Sequence, residues 1–109
     1  MDPDPHQIEA AANLSVEAVE LHTGPYALAS GHEQLLELER LKKAGELTTA
    51  AGLRLHAGHG LNYHNVRPVA QIDNMIELNI GHSIVSRAVM VGMREAVAQM
   101  RQILDLVSP

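Results

Sequence analysis

Cysteine is missing from this 109-residue chain. That excludes disulfides and thiolate metal sites, and permits a reducing compartment. Tryptophan and phenylalanine are missing too, and only two tyrosines stand in the chain. The core must then be built from Leu, Ile, Val, Ala and Met. Such a core suits helix-rich and α/β chains and fits an antiparallel sandwich poorly, because sandwich strands favour aromatics. Basic residues are few: 8 Lys and Arg against 13 Asp and Glu, for a net charge of −5 with His neutral. Arg40, Lys42, Lys43, Arg54, Arg67, Arg87, Arg94 and Arg101 are scattered and form no basic stripe. Nucleic-acid binding therefore has little electrostatic support, although a local site can still take an anionic small molecule. No run approaches the roughly 18 apolar residues of a membrane span. Met1-Asp2-Pro3-Asp4-Pro5 lacks the basic start of a signal peptide. The expectation is a cytoplasmic protein with no membrane partner.

What is present is a 46% hydrophobic, 19% charged composition, which is that of a globular chain. Asp4-Pro5-His6-Gln7 predicts a helix start, with Asp as N-cap and Pro at the first helical position. Ile8, Ala11 and Ala12 give its apolar face, up to about Leu14. Residues 18–22 predict a buried parallel strand ending in the breaker cluster Thr23-Gly24-Pro25. Ser30-Gly31-His32-Glu33 reads as a capping box. Leu35, Leu38, Leu41, Ala44, Leu47 and Ala51 then recur at helical spacing, and Gly52 closes the helix. Residues 53–57 predict a second strand, 65–72 a short helix and 75–80 a third strand. From Ser83 the pattern is helical to about Val107, with Gly92 dividing it. Val85, Ala88, Val89, Ala96, Val97, Met100, Ile103 and Leu104 are its expected inner face.

Strands alternating with helices imply a parallel sheet. Three parallel strands cannot close a barrel, and an open sheet leaves bare edges. A whole (β/α)8 barrel takes about 250 residues. The expected fold class is α/β: residues 1–109 as the C-terminal part of a TIM (β/α)8 barrel, about three βα units plus a leading helix, with the N-terminal strands absent.

Polar residues gather at the strand ends: Glu20 and His22, then His59 and Gly60, then Asn79, Gly81 and His82. In a parallel barrel these ends share the face where active sites form. Gly81-His82-Ser83 joins a strand to a helix start, which offers backbone N–H groups and a positive helix-dipole end to phosphate. The plainer alternative is that Gly58, Gly60 and Gly81 only serve tight turns. His59, between two glycines, has room to give or take a proton, since a free imidazole titrates near neutrality; an exposed loop histidine is the alternative. Glu20, inside an apolar strand, is expected to be buried and hence paired or functional. His22 could orient Glu20 or contact ligand. His56 precedes His59 by three residues, roughly 10 Å in an extended chain, too far to share a metal. No metal site is expected.

These same residues resemble the pyridoxine 5′-phosphate synthase family. The resemblance lies in Glu20-Leu21-His22-Thr23-Gly24-Pro25-Tyr26-Ala27, Ala57-Gly58-His59-Gly60-Leu61-Asn62-Tyr63 and Glu77-Leu78-Asn79-Ile80-Gly81-His82-Ser83. Asp2-Pro3-Asp4 and Arg87-Ala88-Val89 also fit. The resemblance implies a (β/α)8 barrel that condenses 3-amino-2-oxopropyl phosphate with 1-deoxy-D-xylulose 5-phosphate. The products are pyridoxine 5′-phosphate, inorganic phosphate and water. It implies no cofactor and a homo-oligomer, typically an octamer. By motif, Glu20 matches the transition-state-stabilising carboxylate and His59 the proton donor. Gly60, Gly81 and His82 match positions that bind the amino-ketone phosphate.

Two departures accompany the resemblance. His56 stands where the family pattern has Asn. The family's first half, which supplies a proton-accepting His, a proton-accepting Glu, two Arg and most of the deoxyxylulose phosphate site, has no counterpart here, and Met1 falls about where the fifth strand should end. The chain alone is therefore expected to be inactive. Two other readings stay open: a phosphate-binding partial barrel without chemistry, and a half-barrel that self-associates.

Overall fold

The computed structural model describes residues 2–14 and 16–107; the expectation placed on Met1 lies outside them. Helix α1 (Pro5–Asn13) begins as expected. Asp4 is its N-cap and accepts a hydrogen bond from the His6 amide at 2.9 Å. Strand β1 (Ala18–His22) follows, then a one-turn helix α2 (Gly24–Leu28) and the long helix α3 (Gly31–Ala50). Strand β2 (Arg54–Gly58), helix α4 (Val66–Ala70), strand β3 (Met75–Asn79) and helices α5 (His82–Val91) and α6 (Met93–Val107) complete the order. Among the described residues no helix is long and apolar enough to cross a membrane.

The strands form one parallel sheet in the order β1-β2-β3. Side chains alternate across it. Val19, Leu21, Leu55 and Ala57 point to one face and are buried with Ile8, Leu38, Leu41 and Ala44 from α1 and α3. Each fully buried Leu here contributes about 1.5–3 kcal/mol of burial. The other face carries Glu20 and His22, Arg54 and His56, Glu77 and Asn79. Among the described residues no helix covers it, and Glu20, Arg54, Glu77 and Asn79 are exposed. Its middle row pairs Glu20 with His56 and His56 with Glu77, whose carboxylate lies 3.7 Å from His56 Nε2. Parallel sheets ordinarily have both faces covered.

Four expectations are corrected. Thr23-Gly24-Pro25 does not only break β1; it starts α2, because Pro fits a first helical turn. Ser30 occupies the N-cap position of α3, but its side chain makes no capping bond. Gly31, the first helical residue, has a left-handed φ of +56°. The buried stripe of α3 runs Leu38, Leu41, Ala44, Gly45 and Thr48, while Leu35, Leu47 and Ala51 are exposed. Thr48 takes the inward place by donating its hydroxyl to the Ala44 carbonyl at 2.8 Å. Finally, Val85, Val89 and Val97 are 56%, 82% and 47% exposed, whereas Ala96 and Met100 are buried. Among the described residues the sheet ends at β3, so the apolar stripe of α5 has no further strand to cover. Gly92 does divide α5 from α6, at φ +87°.

Tyr26 fixes α2 to the rest of the fold. Its ring is buried and its hydroxyl donates to the Asn65 carbonyl at 2.7 Å. Burial raises the phenol above its usual pKa of 10.0. The folded value thus exceeds the unfolded one. The contribution is complete below about pH 10 and is lost as pH climbs through the raised value. Urea midpoints taken from neutral to strongly alkaline pH should fall more steeply for the native chain than for Tyr26→Phe. Equal slopes would remove Tyr26 as the cause.

Candidate functional site

The C-terminal ends of the three strands meet around one open cavity of about 710 Å³. Glu20 and His22 come from β1, Gly58, His59 and Gly60 from the end of β2, and Asn79, Gly81 and His82 from the end of β3. The five residues to which the resemblance gives roles, Glu20, His59, Gly60, Gly81 and His82, line the same space, together with His22 and Asn79. Several end points differ from expectation: β2 runs through Gly58 rather than residue 57, β3 ends at Asn79 rather than residue 80, α4 ends at Ala70 rather than residue 72, and α5 starts at His82 rather than Ser83.

Glu20 departs from expectation in one respect. It is exposed on the uncovered face rather than buried, because the strand's outward positions alternate with Val19 and Leu21. Its carboxylate accepts a hydrogen bond from Asn79 Nδ2 at 2.7 Å, which spans the strand between them. Gly58 makes this reach feasible. A Cβ there would collide with Glu20 Oε1 and stand 2.9 Å from Asn79 Cβ and 3.0 Å from the Asn79 carbonyl. Gly58→Ala should break the Glu20–Asn79 bond and cost about 1–3 kcal/mol by overpacking. The Asn79 side-chain amide signals in an NMR spectrum, with a urea melt beside them, report both effects; unchanged amide signals would contradict the assignment.

The loop after β2 holds the candidate proton carrier. His59 has φ +94° and Gly60 φ +77°, so the chain leaves the strand in two successive left-handed residues. That conformation costs a non-glycine residue about 1–3 kcal/mol and persists only where neighbours hold it. They do. The His59 carbonyl accepts the Thr23 hydroxyl, and the Thr23 amide donates to the Gly58 carbonyl at 3.0 Å. Asn65 Nδ2 donates to the Gly60 carbonyl at 3.2 Å, and the Asn62 amide donates to Asn65 Oδ1 at 2.7 Å. A Cβ on Gly60 would stand 2.8 Å from Ala27 Cβ, so the loop rests on α2. The His59 ring stacks on that of His22, with centroids 4.4 Å apart and planes at 27°.

On the far side, α5 opens toward the cavity. Gly81 is its N-cap and supplies no side-chain acceptor. Ser83 donates its hydroxyl to the Leu61 carbonyl at 3.0 Å, tying the helix start to the β2 loop. Amides of a helix's first turn and the helix dipole together favour an anion there. The sequence reading assigns no role to Thr23, Asn62, Asn65 or Ser83. Thr23 and Ser83 act through the backbone of a loop distant in sequence, a relation that no local spacing encodes, while Asn62 and Asn65 bond within their own loop.

A parallel α/β chain with a polar cavity across its strand ends has a site of the kind expected of an α/β enzyme. Residues 1–106 match the family model described as pyridoxal phosphate biosynthesis protein PdxJ, and the chain belongs to that family. It is 70% identical over 108 residues to a protein named pyridoxine 5′-phosphate synthase from Rhodopirellula baltica, covering 99% of this chain and 44% of that one. Proteins of the same name from a Synechococcus species and from Legionella pneumophila are 57% and 50% identical, over 97% and 96% of this chain and 45% and 43% of their own lengths. The chain thus spans less than half the length of these curated relatives.

Proposed function

We propose that this chain is the C-terminal part of a (β/α)8-barrel pyridoxine 5′-phosphate synthase. The enzyme joins 3-amino-2-oxopropyl phosphate to 1-deoxy-D-xylulose 5-phosphate, giving pyridoxine 5′-phosphate, inorganic phosphate and water. The observation that carries this reading is the convergence of Glu20, His59, Gly60, Gly81 and His82 on one cavity. Gly60, Gly81 and His82 hold the amino-ketone phosphate, with the start of α5 supplying amides to the phosphate. His59 donates a proton to the hydroxyl that departs as water. Glu20, oriented by Asn79, offsets positive charge on the imine-like species formed when the amine condenses with a ketone carbonyl. The uncovered face of the sheet is the barrel lumen, and the remaining strands would close over it. The protein is cytoplasmic and homo-oligomeric in this reading.

The test is a chimera in which this chain replaces the matching segment of the Rhodopirellula baltica relative. Supplied with both substrates, the chimera is expected to form pyridoxine 5′-phosphate while the isolated chain forms none. A folded but inactive chimera would overturn the reading. A chimera that binds the amino-ketone phosphate without turnover would favour the non-catalytic phosphate-binding alternative. Turnover by the isolated chain would remove the need for the missing strands.

A further inference from the structure

We propose that His22 is a positioning residue for His59: a neutral imidazole carrying its proton on Nε2, whose face fixes the ring of the proton donor. The inference deepens the synthase reading and rests on it for the donor role of His59. Three features support it. The two rings are stacked at 4.4 Å and 27°, so the face of each packs against the other. The Gly24 amide donates to His22 Nδ1 at 3.2 Å. Only an unprotonated ring nitrogen accepts such a bond, which leaves Nε2 as the protonated one. A proton on Nδ1 would set N–H against N–H and release the ring from the turn. Lastly, the space beside Gly24 is filled by the two imidazoles. A Cβ there would collide with His22 Cε1 and stand 2.9 Å from His22 Nδ1 and 3.3 Å from His59 Cδ2. The residue after Thr23 must lack a side chain for both rings to sit where they do.

The arrangement also solves a problem specific to His59. The ring is exposed at a loop tip, where a side chain ordinarily samples several rotamers. Its backbone is held by the Thr23 hydroxyl on its carbonyl, but that bond does not set χ1 or χ2. The flat face of His22 does, and His22 is itself anchored by its place in β1 and by the Gly24 amide. Proton transfer needs the donor nitrogen held within hydrogen-bond reach of the departing group. His22 supplies that restraint through the face of its ring.

Long-range ¹H–¹⁵N spectra of the histidine-labelled chain test this, recorded at mildly alkaline pH where imidazoles are neutral. His22 is expected to show the Nε2–H tautomer pattern, with cross-relaxation between His22 and His59 ring protons. In His22→Ala the His59 ring signals should move to those of the exposed His6 and His32, whereas His22→Phe should keep them dispersed. Gly24→Ala, which retains both histidines but pushes the His22 ring aside, should mimic His22→Ala. Amide signals of Leu41 and Leu55 report that each variant is folded, and Gly24→Ala decides the matter if His22→Ala is not. An Nδ1–H tautomer at His22, or His59 signals unmoved in folded His22→Ala or Gly24→Ala, would overturn the proposal. The ring pair seen beside an inactive chimera would instead reject the synthase reading and with it the donor role.

Discussion

His59→Gln in the active chimera should lower kcat by about 10²–10⁴-fold, the usual worth of a positioned general acid. Glutamine keeps a hydrogen-bonding side chain but has no proton to give near neutral pH. The KM for the amino-ketone phosphate should change little, because the backbone groups of Gly60, Gly81 and His82 are assigned to the phosphate. His59→Gly separates chemistry from strain. Glycine adopts φ +94° without steric cost, so this variant should be at least as stable as the parent and still slow. Steady-state kinetics beside a urea melt read both. Full activity in either folded variant would remove His59 from the chemistry.

Leu55→Ala is expected to have the largest effect on stability. Leu55 is 1% exposed in the middle strand, and a Cβ on Gly45 of α3 would stand 3.0 Å from its Cδ2. It therefore sits where helix and sheet approach each other closely. Truncating a buried Leu costs about 2–5 kcal/mol, a large part of the ~5–15 kcal/mol that holds a natural domain together. Val89→Ala is the matched control. At 82% exposure in α5, it should change the stability of the isolated chain by no more than about 0.5 kcal/mol. Circular dichroism in urea measures both. Comparable losses for the two would mean that α5 is covered in solution, as a self-associating half-barrel would require.

Much of this fold was legible in the sequence, and the physical reason is short range. Each strand is a five-residue run closed by glycine or a helix start, and α1 carries its own cap and proline. What was not legible depends on distant partners. The outer valines of α5 repeat at helical spacing, so periodicity assigned them inward; among the described residues no strand lies beyond β3 to receive them. Glu20 seemed buried because its neighbours in the chain are apolar, yet alternation turns it to the uncovered face. Between Leu55 and His56 the register with β3 slips, so that Met75 and Glu77 face consecutive residues and Ile76 is left 64% exposed. Nothing in the run Met75-Ile76-Glu77 announces this. The site was legible because strand ends, glycines and histidines coincide. The His22–His59 contact was not, since it depends on a left-handed turn at a residue that is not glycine.

In the proposed function the loops after β2 and β3 form one site for the phosphate of a phosphorylated substrate. Titrating the ¹⁵N-labelled chain with inorganic phosphate tests it most directly. The backbone amides of Gly60, Gly81, His82 and Ser83 should move together along a single binding curve. Shifts confined to other surfaces, or two loops following separate curves, would contradict it.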